Sequence, residues 1–310
     1  MKEILGVLGG LALFLYGMKM MSEGLESAAG SRLESILETM TNHKLKAVLV
    51  GTIITCIIQS SSAMSVMLIG FVNAKVMKLE NAIWVIMGAN IGTTITGQMM
   101  ALNIGALAPV FAIIGVILIV FFNRLLFQQI GMIIAGFGIL FMGLEIMSIC
   151  LSPLQDASFF IQLMSSLKHP IYAVLFGTLF TAIIQSSSAS LGILQILSMQ
   201  GLIPFEVGAC MIYGFNIGTC MTAYLASLTG CDNAKRLTCF HILLNVAGAI
   251  VFVIMSYFLP ILKWIQLLSP QSIMLQLANL HTVFNVISTL IVLPIDRYFI
   301  RIVYKCIPEK

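Results

Sequence analysis

The sequence predicts an all-α integral membrane protein built from two inverted-topology repeats, each with a re-entrant helical hairpin that carries a Gln-Ser-Ser-Ser motif. Three observations support this. Apolar residues make up 59% of the chain and charged residues 9%, with a mean hydropathy of +1.05, whereas a soluble domain carries about a quarter charged residues. The stretch from Gly51 to Leu102 recurs at a constant offset of 126 residues, without insertion or deletion. Equivalent loops of the two copies differ in charge, and lysine and arginine mark the cytoplasmic side of a membrane protein. That rule also explains the formal charge of +4, whose scattered cations form no patch for nucleic acid.

The first apolar segment, 4 to 22, has the composition of a signal peptide but no A-x-A-like cleavage site, and its repeat partner Ile130 to Met147 lies mid-chain. It is a retained helix. Glu23 to Lys46 then mixes Glu26, Arg32, Glu34 and Glu38 with Leu25, Leu33, Ile36 and Leu37, the pattern of a helix lying along the cytoplasmic interface as scaffold or dimer contact. Segment 46 to 71 is bordered by Lys44 and Lys46 on one side and by Lys75 and Lys78 on the other, so it enters the membrane and turns back. Each arm has about 13 residues, about 20 Å at 1.5 Å per residue. The break falls near Gln59 to Ser62, where short hydroxyl side chains compete with helical hydrogen bonds.

Segments 80 to 101 and 106 to 123 cross out and back, which leaves Arg124 inside. Segment 130 to 149 then begins the second repeat in the opposite sense. Loop 150 to 171 holds only Lys168, and Met199 to Pro204 holds no cation, so the hairpin at 172 to 199 enters from outside. Segments 205 to 229, 238 to 260 and 273 to 295 follow, and Arg297, Arg301, Lys305 and Lys310 set the C-terminus in the cytoplasm. The repeats divide as 1–129, with its hairpin at about 46–71, and 130–310, with its hairpin at about 172–199 plus the C-terminal helices. This gives seven full crossings with the N-terminus outside. A plain nine-helix bundle is the competing reading, since hydropathy alone does not separate a re-entrant segment from a long helix.

The duplicated polar blocks carry the chemistry. GTIITCIIQSSSA at 51 matches GTLFTAIIQSSSA at 177, and GANIGTTIT at 88 matches GFNIGTCMT at 214. A helix broken at membrane depth exposes first-turn N–H groups and the positive end of its dipole, which together suit an anion. The hydroxyls of Ser60, Ser61, Ser62, Ser186, Ser187 and Ser188 add donors. Freed carbonyls with the oxygens of Gln59 and Gln185 suit a hard cation such as Na⁺. Asn90, Thr93, Thr94, Asn216 and Thr219, on the helices after each hairpin, supply further oxygens, and Thr93 and Thr219 are expected to line the site. Two tips meeting from opposite sides would surround a small oxyanion while sodium offsets its desolvation. No arginine or lysine is expected near either motif.

Other features have plainer readings. Glu80 and Glu206 begin the helices that bear Asn90 and Asn216 and serve the helix dipole. Glu145, the repeat partner of Lys19, is the one carboxylate well inside an apolar segment, and a role as ion or proton ligand stays open to it. His241 with Asn245, and His281 with Asn285, sit four apart on one helix face; a helix–helix hydrogen bond fits HxxxN better than a metal site does. The seven cysteines form no CxxC pair and read as packing residues.

The paired QSSSA blocks, each followed by an Asn-Ile-Gly-Thr helix, together with Ala234-x-Arg236-x4-His241-x3-Asn245, resemble the bacterial branch of the type II sodium/phosphate cotransporter family. The resemblance covers essentially the whole chain. It implies sodium-driven uptake of inorganic phosphate in a multi-pass protein of the bacterial inner membrane, with Na⁺ as coupling ion and no cofactor. It also implies phosphate and sodium bound around Gln59 to Ser62 and Gln185 to Ser188. Many such proteins continue into a cytoplasmic PhoU-type domain, which this sequence does not contain. Transport of another small anion with sodium is the alternative. An intramembrane serine hydrolase lacks a G-x-S-x-G setting and a carboxylate to orient either histidine, so no enzyme activity is expected.

Overall fold

The computed structural model describes residues 2–30, 36–37, 41–102, 104–153, 157, 160, 162, 164 and 166–308. Among these residues there is no strand. The helices are α1 (Lys2–Ala29), α2 (Lys44–Ile58), α3 (Ser61–Asn73), α4 (Leu79–Gly92), α5 (Thr94–Met100), α6 (Ala108–Phe121), α7 (Leu125–Leu151), α8 (Pro170–Ile184), α9 (Ser187–Met199), α10 (Phe205–Ser227), α11 (Asp232–Phe258), α12 (Ile261–Leu268), α13 (Ile273–Val292) and α14 (Asp296–Cys306). Among the described residues α1, α7 and α11 are each long and apolar enough to cross a membrane, and α4–α5 with α6 form a further, bent candidate.

Both QSSS segments are helical hairpins, and the packing of their neighbours shows it. Thr52 Oγ1 donates to the Gly88 carbonyl at 3.1 Å, and Cys56 Sγ reaches the Gly92 carbonyl at 3.5 Å. Both contacts step forward together, so α2 and α4 run parallel. A Cβ on Gly88 would meet the Val48 oxygen at 2.0 Å, and one on the equivalent Gly214 would meet the Val174 oxygen at 2.1 Å. The same parallel packing therefore joins α8 to α10. A chain that runs parallel to itself across one intervening helix must reverse within that stretch, so α3 and α9 are return arms. The nine-helix bundle is excluded, because continuous spans would make α2 and α4 antiparallel.

The repeats are inverted relative to each other. A Cβ on Gly17 would meet Leu140 N at 2.4 Å, and one on Gly143 would meet Phe14 N at the same 2.4 Å. Each of these contacts is the image of the other under the 126-residue offset. The repeat-equivalent helices α1 and α7 thus pack antiparallel about a local two-fold.

Two details depart from the sequence reading. The first helix does not end at 22: Gly24 packs against Ile133 and the Gln129 carbonyl of α7, so α1 runs on to Ala29 and takes Glu23, Leu25 and Glu26 with it. Arg32, Leu33, Glu34 and Glu38 lie outside the described residues. The segments 80 to 101 and 106 to 123, expected to cross out and back, instead meet at an 81° corner. A 3-10 turn at Gly105–Leu107 and a proline in the first turn of α6 start that helix in a new direction.

The C-terminal end is tied to the base of the first hairpin. Asp296, 1% exposed, accepts from Lys44 Nζ and Trp84 Nε1, both at 2.7 Å, and from the Arg297 N–H at 2.8 Å. Burial pushes its carboxyl up, but the hydrogen bonds from Lys44 and Trp84 outweigh this and hold it below the usual carboxylate range. Arg236 clamps the far end of α14, with Nε on the Ile307 carbonyl at 2.9 Å and its guanidinium 4.2 Å from the Tyr304 ring centroid.

Two outcomes follow from this packing. Gly88→Ala should cost about 1–3 kcal/mol, read as a lower Tm in detergent, while Gly70→Ala, where a Cβ meets nothing within 4 Å and helix propensity favours alanine, should not lower Tm. Asp296→Asn should be destabilising at pH 7, and its deficit should shrink as pH falls below about 4, the ordinary aspartate value. A depressed carboxyl stabilises above that value and loses its contribution as it protonates. Thermal unfolding across pH measures this.

Candidate functional site

Each tip is made by one left-handed residue and one serine cap. Gln59 ends α2 at φ 58°, with its N–H on the Thr55 carbonyl at 2.8 Å; Gln185 ends α8 at φ 60°, with its N–H on the Thr181 carbonyl at 2.6 Å. Positive φ is uncommon for any residue but glycine, and here it turns the chain sharply between the two arms. Ser60 and Ser186 then adopt extended backbone, and their hydroxyls accept the N–H of Ala63 at 3.1 Å and of Ala189 at 3.2 Å. These are N-caps, which leave the first-turn N–H groups of Ser61, Ser62, Ser187 and Ser188 without an intrahelical acceptor.

The tips meet. Ser62 Oγ donates to the Gln185 carbonyl at 3.3 Å. One cavity of about 300 Å³ is lined by Gln59 to Ala63, Gln185 to Ser188 and Thr93. At about 30 Å³ per water, it has room for roughly ten waters, or for a tetrahedral oxyanion with accompanying cations. Thr93 lines this cavity. Thr219 does not: it is buried, with its hydroxyl on the Phe215 carbonyl at 2.9 Å. Thr94 bonds back across the break to the end of α4, on the Ile91 carbonyl at 2.7 Å.

Asn90 and Asn216 stand behind the tips with both ends of their amides occupied. Asn90 Nδ2 donates to Asn245 Oδ1 at 2.8 Å and its Oδ1 meets His241 Nε2 at 3.1 Å; Asn216 repeats the pattern with Asn285 and His281, both at 3.3 Å. The two HxxxN faces therefore make the helix–helix hydrogen bonds read from their spacing. Asn245 does more than its counterpart, because its Nδ2 also reaches the Asn216 carbonyl at 2.9 Å and so ties the Asn-Ile-Gly segments of both repeats together. Among the described residues no group of His, Cys, Asp or Glu is placed to hold a metal ion.

The two motifs are identical in sequence but not in surroundings. Gln59 is buried; its Oε1 accepts from Thr96 Oγ1 at 2.7 Å and its Nε2 donates to the Cys56 carbonyl. Gln185 is exposed to the cavity, and Thr222, the repeat partner of Thr96, bonds to the Thr219 carbonyl at 2.9 Å instead. The cavity also has a wall absent from the sequence reading. Leu15, Met18, Lys19, Ser22, Glu23 and Glu26 of α1 line it, so a lysine does lie beside both motifs. The i, i+3, i+4, i+7 spacing from Lys19 to Glu26 was the available signal.

The family model described as Na+/Pi-cotransporter matches twice, over residues 13–149 and 151–286. The chain belongs to that family. Its members move phosphate across membranes, and the family is one of transporters rather than enzymes. "Uncharacterized protein YqeW" of Bacillus subtilis is 34% identical over 96% of both chains. "Putative inorganic phosphate export protein YjbB" of Escherichia coli K12 is 26% identical over 95% of this chain, which spans 54% of that protein. "Sodium-dependent phosphate transport protein 2A" of Rattus norvegicus is 30% identical over 31% of this chain. No solved structure matches.

The network behind the tips makes a differential prediction. Asn245→Leu leaves buried partners unpaired on two helices and should cost more stability than Asn285→Leu, at about 1–3 kcal/mol per orphaned group. Parallel thermal melts of the two variants in detergent compare them.

Proposed function

We propose that this chain couples inorganic phosphate to sodium, with both ions held between the two QSSS tips, and takes phosphate up when sodium runs inward. The observation that supports this most is the single cavity lined by both motifs at the point where the tips touch. Phosphate needs many donors to leave water. The first-turn N–H groups of α3 and α9, the serine hydroxyls and two helix N-termini provide them with no strong acid or base required. Sodium needs oxygens, and the last carbonyls of α2 and α8, the Gln185 amide and Thr93 are near at hand. In this reading Asn90, Thr94, Asn216 and Thr219 fix the backbone around the site from behind, since their side chains are already bonded.

Bringing sodium and phosphate in together also lowers the cost of desolvating either alone. Each sodium that moves down a tenfold gradient supplies about 1.4 kcal/mol, and each net charge crossing 100 mV adds about 2.3 kcal/mol. Direction then follows the gradients, so export, the activity in the name of the YjbB relatives, is the same carrier run in reverse. The exposed Arg297, Arg301 and Lys305 of α14 fit a cytoplasmic C-terminus on a multi-pass bacterial plasma-membrane protein.

Proteoliposomes with an inward sodium gradient should accumulate labelled phosphate, and collapse of that gradient should abolish accumulation. Excess arsenate or sulfate in competition tests the alternative of another small anion. Ser61→Ala and Ser187→Ala should each reduce uptake at least tenfold, the worth of about 1.5–3 kcal/mol for a donor to a charged group. Wild-type uptake in both variants would defeat the assignment of the tips.

A further inference from the structure

The α1 wall of the QSSS cavity has a repeat image elsewhere in the molecule. Leu15, Met18, Lys19 and Ser22 line the cavity that reaches both tips, and the residues 126 further on, Phe141, Leu144, Glu145 and Ser148, line a second cavity of about 620 Å³. No residue of either motif lines that second cavity. Because α1 and α7 are antiparallel about a local two-fold, the equivalent stretches lie toward opposite ends of the helix pair. At one equivalent position the charge reverses, from lysine at 19 to glutamate at 145.

An ammonium group partway along a spanning helix points to function rather than packing. Lys19 pairs with Glu23 at 3.6 Å, with 70% and 51% of the two side chains exposed. So exposed a pair is weakly held, and an arriving anion can take the carboxylate's place. Glu23 and Glu26 follow on the same face, about 6–10 Å nearer the helix end at 1.5 Å per residue, so Lys19 is the innermost charge on that wall. The far end of α9, at Ile196 and Met199, lines the second cavity. Gln195 Nε2 donates to the carbonyls of Gly97 at 3.1 Å and Met274 at 2.9 Å, holding α9 against α5 and α13.

We propose that the two cavities are the two mouths of one transport path and that this repeat-equivalent position sets the ion preference of each. Both ions pass both mouths; Lys19 raises the local concentration of phosphate at the mouth that reaches the tips, and Glu145 raises that of sodium at the other. The inference rests on the phosphate reading above.

Right-side-out and everted vesicles allow flux to be saturated from either side. Lys19→Gln should raise the phosphate KM about fivefold from the Lys19 side, what an exposed charge contact of about 1 kcal/mol gives, with a smaller change in Vmax. Lys19→Arg should restore the KM, and the difference should fade at high salt, where exposed charges are screened. Glu145→Gln should raise the sodium half-saturation from the opposite side. A phosphate KM unmoved in Lys19→Gln, an equal change from both sides, or a defect that Lys19→Arg does not repair overturns the inference alone. A wild type that moves no phosphate from either side overturns the inference and the reading beneath it.

Discussion

Everything in this fold depends on breaking two helices where water is scarce. Backbone groups freed at membrane depth must find partners in the protein or face a polar cavity. Gln59 and Gln185 meet the first condition by handing their N–H groups back to Thr55 and Thr181, and Ser60 and Ser186 cap the returning arms. The groups left over face each other across the cavity. The break also needs a rigid support. Gly88 and Gly92 let α2 lie directly on α4, and Gly214 and Gly218 do the same for α8 on α10, so the tips are held by backbone contact rather than by long side chains.

Local two-fold symmetry governs the α1–α7 pair but is broken at the tips. Gln59 is buried with Thr96, while Gln185 faces the cavity and Thr222 turns away. Identical sequences in unlike surroundings are what a carrier with two similar end states requires.

Much of this was legible in the sequence, and the limits have physical causes. The hairpins followed from Lys44, Lys46, Lys75 and Lys78 flanking one apolar segment, because charge reports side and side reports reversal. The tip residues followed from duplication. The α1 wall did not, since Glu23 and Glu26 look like the start of an interfacial helix until Gly24 is seen packed on α7. The His-Asn spacing reveals a bonding face but not its partner, and only the structure shows that the Asn90 and Asn216 amides bond His241, Asn245, His281 and Asn285. The difference between Gln59 and Gln185 has no trace in the two motifs, because they are identical and burial is set by what packs around them.

Two hairpins that enter from opposite faces of the membrane and meet at one site have their return ends on opposite sides. Lys78 and Pro204 are repeat-equivalent, exposed residues at the return end of each hairpin. In a background with the native cysteines replaced, single cysteines at these positions should react with a membrane-impermeant maleimide from opposite sides of sealed vesicles. Labelling of both from the same side would contradict the opposed hairpins.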